Sequence, residues 1–199
     1  MFSDHYPTWN NKRINVVLKH YDENYFSGKT VLEVGCGHAF FSKKMLEYGA
    51  IPTASDAREE YLNLPEGISS IAHDLDGEWV LGKYDVVFHF GVLYHLRDPK
   101  KALIDAIENS NLLFLETEVL SSMDDKVIFR NEKGYDQAFN GVGNQLSVGS
   151  IEQILIDSGK KFIRVDDPDL NCFLHHYDWE VVEDDSWKTG RRKFWIVGE

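Results

Sequence analysis

The segment VLEVGCGHAFFS, residues 31–42, constrains the fold of this 199-residue chain more than any other. An apolar, partly β-branched run ends at two closely spaced glycines, and Phe40, Phe41 and Met45 then follow at helical spacing. Such a run is typical of a buried strand in a parallel sheet, and glycines permit a sharp turn into a helix. The segment therefore predicts a strand–turn–helix unit whose turn offers backbone N–H groups to a ligand, or a tight turn that binds nothing.

The rest of the chain repeats this alternation of strands and helices. Strands are predicted at residues 30–35, 51–55, 68–72, 84–90, 111–120, 162–167 and 191–198. Helices are predicted at residues 12–22, after an N-cap at Asp98 with Pro99 in the first position, and from an N-cap at Ser150 to Gly159. The alternation predicts a doubly wound α/β fold with a mostly parallel, seven-stranded sheet whose last strand is antiparallel.

Residues 121–149 interrupt this pattern with asparagines and glycines and without a long apolar period. We interpret them as an insertion after the fifth strand that covers the carboxyl edge of the sheet. Residues 1–27 are predicted to form an N-terminal helical lid, with Tyr6 and Trp9 over the site or packed on the first helix. The whole chain, residues 1–199, is predicted to be one domain.

Three acidic residues lie at or near the carboxyl ends of successive strands. Asp56 ends the second strand, where a carboxylate can accept hydrogen bonds from two ribose hydroxyls. Asp74 follows the third strand and can accept from an adenine amino group or cap a helix. Glu33 lies inside an apolar strand, where a ligand ammonium or a backbone turn would offset the cost of its burial. A dinucleotide site would have a third glycine where Phe40 stands, so these residues favour a nucleoside ligand without a pyrophosphate.

Together, VLEVGCG, TASDAR, HDLD and YDVVFHFGVLYHLRDPKKAL, within residues 29–120, resemble class I S-adenosylmethionine-dependent methyltransferases. The resemblance implies a Rossmann-like fold, S-adenosylmethionine as cofactor, and a methyl acceptor that we expect to be a small molecule or a glycan. It places the methionine end on the glycine turn, the ribose on Asp56 and the adenine on Asp74 and Leu75. The cofactor-binding residues it implies are Glu33, Gly35, Cys36, Gly37, Asp56, Ala57, Asp74, Leu75, His89, Phe90 and Arg13. Ala39 departs from the family's third loop glycine.

Two of these residues have a structural alternative. His89 lies within the fourth strand and is predicted to be a satisfied core histidine or a cofactor-lining one. Arg13 lies on the first helix, and it either reaches the cofactor carboxylate or belongs to a solvated helix face.

A narrower set of segments, TWNNKRI, FGVLYH and LLFLETEVL, resembles the tRNA wobble-uridine carboxymethyltransferase family. That resemblance implies carboxy-S-adenosylmethionine and a tRNA partner. Tyr94 matches the family, whereas Asn10 and Asn11 stand where a lysine would better suit the added carboxylate. The chain carries 33 acidic and 21 basic side chains, a net charge of −12. Because such a surface repels phosphate backbones, we rank tRNA below a small-molecule or glycan acceptor. A catalytically silent fold that binds the cofactor or a partner protein is the further alternative.

The residues nearest the expected methyl group are candidates for the chemistry. His95 is the first candidate for a general base, because the ordinary pKa of histidine suits neutral pH. Tyr94 precedes it and would face the methyl group, and Glu116 near the end of the fifth strand is a second candidate base. The alternatives are a His95 bonded to backbone at a helix start and a Glu116 paired with Arg or Lys. In the insertion, Asn140, Asn144 and Gln145 either read a polar acceptor such as a sugar or form an ordinary loop.

The sequence does not support a disulfide-bonded protein, a metal-binding site or a membrane protein. The only cysteines, Cys36 and Cys172, are far apart, so a disulfide framework is not expected. Cys172, His175 and His176 lack a second ligand pair, and no metal site is predicted. Without a signal peptide or a long apolar run, the chain is expected to be soluble and cytoplasmic, with no membrane partner. The sequence predicts no oligomeric state.

Overall fold

The structure, a computed structural model, describes residues 6–134, 137–184 and 190–198. Residues 1–5 of the predicted lid and residues 135–136 of the predicted insertion lie outside the described residues. The helices are α1 (Tyr6–His20), α2 (Phe40–Glu47), α3 (Pro99–Glu108) and α4 (Val148–Asp157). The strands are β1 (Thr30–Val34), β2 (Ile51–Asp56), β3 (Ser69–Ala72), β4 (Tyr84–Phe90), β5 (Ser110–Glu118), β6 (Val127–Asn131), β7 (Val142–Leu146), β8 (Phe162–Arg164) and β9 (Arg192–Gly198).

The main sheet has seven strands in the order β3-β2-β1-β4-β5-β9-β8. Strand β9 runs antiparallel to both β5 and β8, and the remaining neighbours are parallel. The predicted fold class, including the antiparallel last strand, is confirmed. The strand order reverses between β1 and β4, and ligands of open α/β sheets bind outside the carboxyl ends of the strands at such a point.

Helices cover both faces of this sheet. On one face α1 and α2 bury Val17 and Met45 against Phe88 and Phe114 of the sheet. On the other face α3 and α4 bury Leu103, Ile151 and Leu155 in a second cluster. The sheet is therefore doubly wound, as the alternation predicts.

Several element boundaries differ from the sequence prediction, and strand β8 ends at Arg164 instead of residue 167. Two helix starts also differ. Helix α1 already begins at Tyr6 among the described residues, whereas the prediction began at residue 12. The N-cap of α4 is Ser147, not Ser150, because the Ser147 hydroxyl accepts the Ser150 backbone N–H. Ser150 lies inside the helix, where its own hydroxyl donates to Asp125 at 2.6 Å.

The predicted insertion contains a β-hairpin of β6 and β7. Its second strand, β7, packs on the one-turn 3-10 helix Leu93–His95 that follows β4. Asn144 of β7 donates its backbone N–H to the Leu96 carbonyl at 2.9 Å. The hairpin is thus attached to the carboxyl edge of the sheet, where the insertion was expected.

None of the described helices is long and apolar enough to cross a membrane. The cytoplasmic location and the division into one domain with a lid stay predictions.

Candidate functional site

The glycine turn between β1 and α2 has three residues in left-handed backbone conformations. Gly35, Gly37 and Ala39 have φ angles of 57°, 48° and 53°. A Cβ on Gly35 would lie 2.5 Å from Cγ2 of Val92, whereas a Cβ on Gly37 would meet nothing within 4 Å. The turn therefore packs against Val92, two residues beyond the end of β4, and leaves open space beside Gly37, as a backbone cradle for a ligand requires.

Glu33 lies beneath this turn and holds the start of α2. Its carboxylate accepts the backbone N–H of Ser42 at 2.6 Å and of Phe41 at 3.3 Å. Burial raises the pKa of Glu33 to about 7, although the hydrogen bonds from Ser42 and Phe41 favour the ionised form and lower it. The structure thus shows the backbone-bonded alternative for Glu33, and its binding to the methionine end stays a prediction.

Asp56 connects the end of β2 to the glycine turn. It accepts the backbone N–H of Gly37 and that of Arg58, each at 2.9 Å, and Ala57 is the residue between Asp56 and Arg58. A carboxylate has about four lone-pair positions, so two remain for ribose hydroxyls. The neighbouring Cys36 is buried, and burial raises the pKa of its thiol, so a reactive thiolate is not expected at this turn.

Asp74 lies at the next strand end and contacts the insertion. Its carboxylate accepts the Asp76 backbone N–H at 3.0 Å and the Asn140 side-chain amide at 2.9 Å. Asp74 is the N-cap of none of the described helices, and the adjacent Leu75 packs into the core. Asn140 therefore occupies one oxygen of the carboxylate that is predicted to bind adenine.

Asp76, which was not predicted as a site residue, joins three segments. Its carboxylate accepts the backbone N–H groups of Arg97 at 2.7 Å and Asp98 at 3.2 Å, and the Asn140 amide at 3.1 Å. Its position as the second acidic residue of the HDLD segment, residues 73–76, was the sequence feature that could have indicated it. Because Asn144 also donates its amide to the Arg97 carbonyl at 2.6 Å, both asparagines attach the insertion to the sheet.

Beyond β4 and β5, a buried ion-pair cluster lies at the carboxyl edge. Glu116 has no exposed surface; Arg192 Nη1 lies 3.0 Å from its Oε1 and Arg13 Nη2 lies 3.3 Å from its Oε2. Burial alone would raise the pKa of Glu116, but the two guanidiniums outweigh it and hold the pKa below its ordinary value. Pairing with arginine is the alternative that the sequence left open for Glu116, and an ionised, doubly paired carboxylate is a poor proton acceptor.

Arg13 belongs to this cluster and not to a solvated helix face. Its side chain is 4% exposed, and its guanidinium carbon lies 3.2 Å from the centroid of the Trp9 ring. Trp9 also stacks on His175 with centroids 4.0 Å apart and donates to the Tyr177 hydroxyl at 2.7 Å. Trp9 is thus packed into the cluster, whereas Tyr6 is 42% exposed.

Arg192 and Tyr177 were also missed by the sequence analysis. Tyr177 donates its hydroxyl to Glu116 at 3.1 Å, and Arg192 donates to the Tyr94 hydroxyl at 2.8 Å. Burial raises the pKa of Tyr94 to about 12, so its hydroxyl stays protonated. The sequence shows two arginines, Arg191 and Arg192, at the start of the predicted last strand. This pattern does not indicate that Arg192 pairs with Glu116 on β5.

His89 and Phe90 line the end of β4. His89 is fully buried, neither ring nitrogen has a hydrogen-bond partner among the described residues, and burial lowers its pKa to about 4. His89 is therefore buried and neutral, and the alternative of a satisfied core histidine is wrong, whereas the cofactor-lining alternative stays a prediction. Phe90 packs its ring against Phe41 and Phe194, with centroids 4.7 and 5.3 Å apart.

His95 contacts the insertion through its ring. Its Nδ1 hydrogen-bonds to Oε2 of Glu132, and its ring centroid lies 4.0 Å from that of Tyr94. The backbone N–H of His95 donates to Val92 within the 3-10 turn, so the backbone-bonded alternative does not describe the ring. Gln145 on β7 is also buried, and among the described residues its amide has no partner.

The described residues contain no group of three or more histidine, cysteine, aspartate or glutamate side chains arranged to hold a metal ion. His175 instead accepts a hydrogen bond from Arg192 at 3.2 Å.

A family described as a methyltransferase domain matches residues 11–165 of this chain. The tRNA U34 carboxymethyltransferase of Pseudomonas putida is 30% identical over 157 residues, which cover 69% of this chain and 47% of that protein. The mitochondrial ubiquinone biosynthesis O-methyltransferase of Schizosaccharomyces pombe is 31% identical over 111 residues, which cover 50% of this chain and 40% of that protein. The chain thus spans less than half of the length of these curated relatives.

Among solved structures, the N-terminal domain of EvdMO1, crystallised in the presence of SAH and D-fucose, is similar to this chain. The TM-score is 0.70 with 19% sequence identity, and the match covers 98% of this chain and 84% of that one. At this identity the likeness concerns the fold.

Proposed function

Because this chain belongs to the methyltransferase domain family, we propose that it transfers a methyl group from S-adenosylmethionine to a small-molecule or glycan acceptor. The observation that carries this proposal is the glycine turn with Asp56 hydrogen-bonded to Gly37 at 2.9 Å. That contact places a carboxylate and an open backbone cradle side by side at the reversal point of the sheet.

The chain's own residues fit such a cofactor. Asp56 retains two lone-pair positions for the ribose, and Asp74 retains lone pairs for the adenine amino group besides those that Asp76 and Asn140 use. Gly35, Cys36 and Gly37 supply the backbone next to the methionine end, above the Glu33 carboxylate. When bound, S-adenosylmethionine supplies an electrophilic methyl group on a positively charged sulfur, and the acidic side chains around it favour that charge.

The acceptor is proposed to bind beside the turn after β4, next to the point where the insertion attaches to it. Val92 contacts the glycine turn, and the 3-10 turn that carries Tyr94 and His95 begins at the next residue. Since consecutive Cα atoms are about 3.8 Å apart, His95 lies within about 11 Å of Val92 along the chain. Holding the acceptor in line with the methyl group supplies much of the rate of such a displacement.

A calorimetric titration with S-adenosylmethionine, S-adenosylhomocysteine, carboxy-S-adenosylmethionine and NAD tests the cofactor. We expect the S-adenosyl compounds to bind and NAD not to bind. Asp56→Asn is expected to weaken their binding by about 10-fold to 100-fold, because it weakens charge-assisted hydrogen bonds to the ribose.

Asp85→Asn is the matched control for this titration. Asp85 also accepts a backbone N–H, from Thr30 at 2.9 Å, but it does so at the amino ends of β1 and β4. Unchanged affinity in Asp56→Asn, or an equal loss in both variants, would remove Asp56 from the cofactor site. Absence of binding by any S-adenosyl compound would overturn the proposed function.

Transfer to tRNA is the second candidate, favoured by the similarity to tRNA U34 carboxymethyltransferases. It requires a preference for carboxy-S-adenosylmethionine in the same titration and retention of tRNA that weakens with salt. The net charge of −12 supports the small-molecule or glycan acceptor instead. Binding of S-adenosylmethionine with no retention of tRNA would contradict transfer to tRNA and leave the small-molecule or glycan acceptor.

A further inference from the structure

The insertion brings a buried carboxylate to the ring of His95. Glu132 follows β6, its side chain is 3% exposed, and its Oε2 hydrogen-bonds to Nδ1 of His95, whose side chain is 16% exposed. Burial would raise the pKa of Glu132, but His95 and Arg130 outweigh it and hold the pKa below its ordinary value. Glu132 is therefore ionised at neutral pH and acts as an acceptor.

An ionised acceptor at Nδ1 determines which nitrogen of a neutral His95 carries the proton. The Nδ1–H donates to Glu132, so Nε2 presents its lone pair. Among the described residues Nε2 has no hydrogen-bond partner. It is also not one of the fully buried side-chain atoms that lack a partner, so it is accessible. Nε2 is thus available to a molecule at the carboxyl edge of the sheet.

The backbone of the hairpin holds the same turn in place. A Cβ on Gly143 of β7 would lie 2.3 Å from the carbonyl oxygen of Tyr94 and 3.2 Å from Cα of His95, so only glycine permits this approach. The neighbouring Asn144 donates its backbone N–H to Leu96 at 2.9 Å. The hairpin therefore fixes both the main chain and the ring orientation of His95.

We infer that Glu132 is a positioning residue for His95, and that this pair deprotonates a hydroxyl group of the methyl acceptor. The inference rests on the proposed function and deepens it by naming the acceptor group. A phenolic or sugar hydroxyl is almost fully protonated at neutral pH, so its oxygen becomes a better nucleophile when a base removes the proton. A thiol ionises far more readily and depends less on such a base.

The proposed step is an in-line displacement at the methyl carbon. The acceptor oxygen forms a bond to the methyl carbon while the carbon–sulfur bond breaks, and the electron pair of that bond stays on sulfur. The hydroxyl proton moves to Nε2 of His95. The Glu132 carboxylate stabilises the resulting imidazolium through its hydrogen bond to Nδ1, and it does not take the proton.

The charged and titratable groups around His95 are few among the described residues. Tyr94 precedes it on the turn, and burial raises the pKa of this hydroxyl to about 12. From the hairpin come Glu132 and Arg130, whose Nε lies 3.5 Å from Glu132 Oε1. Arg130 also donates to Glu118 at 3.0 Å, so its charge is shared between two carboxylates.

The first test needs no acceptor. Nitrogen-15 NMR of the histidine side chains of the full chain, with His95→Gln for assignment, reads the neutral tautomer of His95. We expect Nδ1–H in the wild type and a shift toward Nε2–H in Glu132→Gln. Glu152→Gln is the matched control, since Glu152 is also a partly buried acid paired with an arginine, Arg164 at 2.9 Å. An Nε2–H tautomer in the wild type, or no change in Glu132→Gln, would overturn the positioning role.

The second test measures methyl transfer from S-adenosylmethionine to catechol, methyl glucoside and thiophenol. We expect transfer to at least one hydroxyl probe, a kcat lowered by roughly 100-fold or more in Glu132→Gln with little change in KM, and partial recovery at high pH or in Glu132→Asp. Glu152→Gln should match the wild type. Equal kcat values in both variants, or transfer to thiophenol alone, would overturn the inference. So would enzyme that binds S-adenosylmethionine but methylates neither hydroxyl probe, and the proposed cofactor would then still stand.

Discussion

Arg192 and Glu116 form an ion pair at 3.0 Å in which the two side chains are 3% and 0% exposed. They stand on antiparallel neighbours β9 and β5, and Arg13 reaches the second oxygen of the same carboxylate from α1. Because removing one partner leaves a buried charge uncompensated, the three residues depend on one another for their burial. The cluster thereby connects α1 to the sheet edge at which the cofactor and acceptor are proposed to bind.

Arg192→Met is expected to lower the free energy of unfolding by about 3–5 kcal/mol, since Glu116 keeps Arg13 but loses the arginine that is hydrogen-bonded to it. Urea denaturation followed by circular dichroism measures this loss. Arg164→Met is the control, because Arg164 pairs with Glu152 at 2.9 Å but is 30% exposed, and its loss should stay below about 1 kcal/mol. Equal losses in the two variants would contradict the dependence of Glu116 on Arg192.

Local patterns of the sequence determine the fold, whereas the site depends on contacts between distant segments. The turn after Val34 and the helix start at Asp98 and Pro99 were predictable, because each depends on neighbouring residues only. Arg192 meets Glu116 only because β9 pairs with β5, and single-sequence periodicity carries no information on that pairing. The Glu132–His95 contact was unpredictable for the same reason.

Glu33 is expected to make stability depend on pH. Burial raises its pKa from an ordinary 4.5 to about 7, so the folded state binds a proton more tightly than the unfolded chain. Its contribution is fully present below pH 4.5 and is lost as the pH rises through 7. The loss is on the order of 3 kcal/mol.

Glu33→Gln removes this titration, so its unfolding free energy relative to the wild type should rise between pH 4.5 and 7. Thermal or urea unfolding at half-unit pH steps measures that difference. A constant difference across the range would show that the Ser42 and Phe41 hydrogen bonds keep Glu33 ionised throughout.

His89 is expected to act in the opposite direction. Burial lowers its pKa from 6.5 to about 4, so the unfolded chain binds the proton more tightly as the pH falls between these values. The folded state should therefore lose on the order of 3 kcal/mol over that interval. His89→Phe, of similar shape, should lack this acid loss, and the same unfolding series measures it. A parallel loss in wild type and variant would mean that other groups cause it.

Gly35 and Gly37 are expected to respond differently to alanine, although both have a positive φ. Either substitution costs about 1–2 kcal/mol for the left-handed backbone. Gly35→Ala also places its Cβ 2.5 Å from Val92 and must displace the turn that leads to Tyr94 and His95, whereas Gly37→Ala meets nothing within 4 Å. Urea unfolding should therefore show a larger loss of stability in Gly35→Ala. Titration with S-adenosylmethionine should show a loss of affinity in Gly37→Ala, because the added methyl group enters the space proposed for the cofactor. Equal losses of stability in the two variants would contradict the packing of Val92 against the glycine turn.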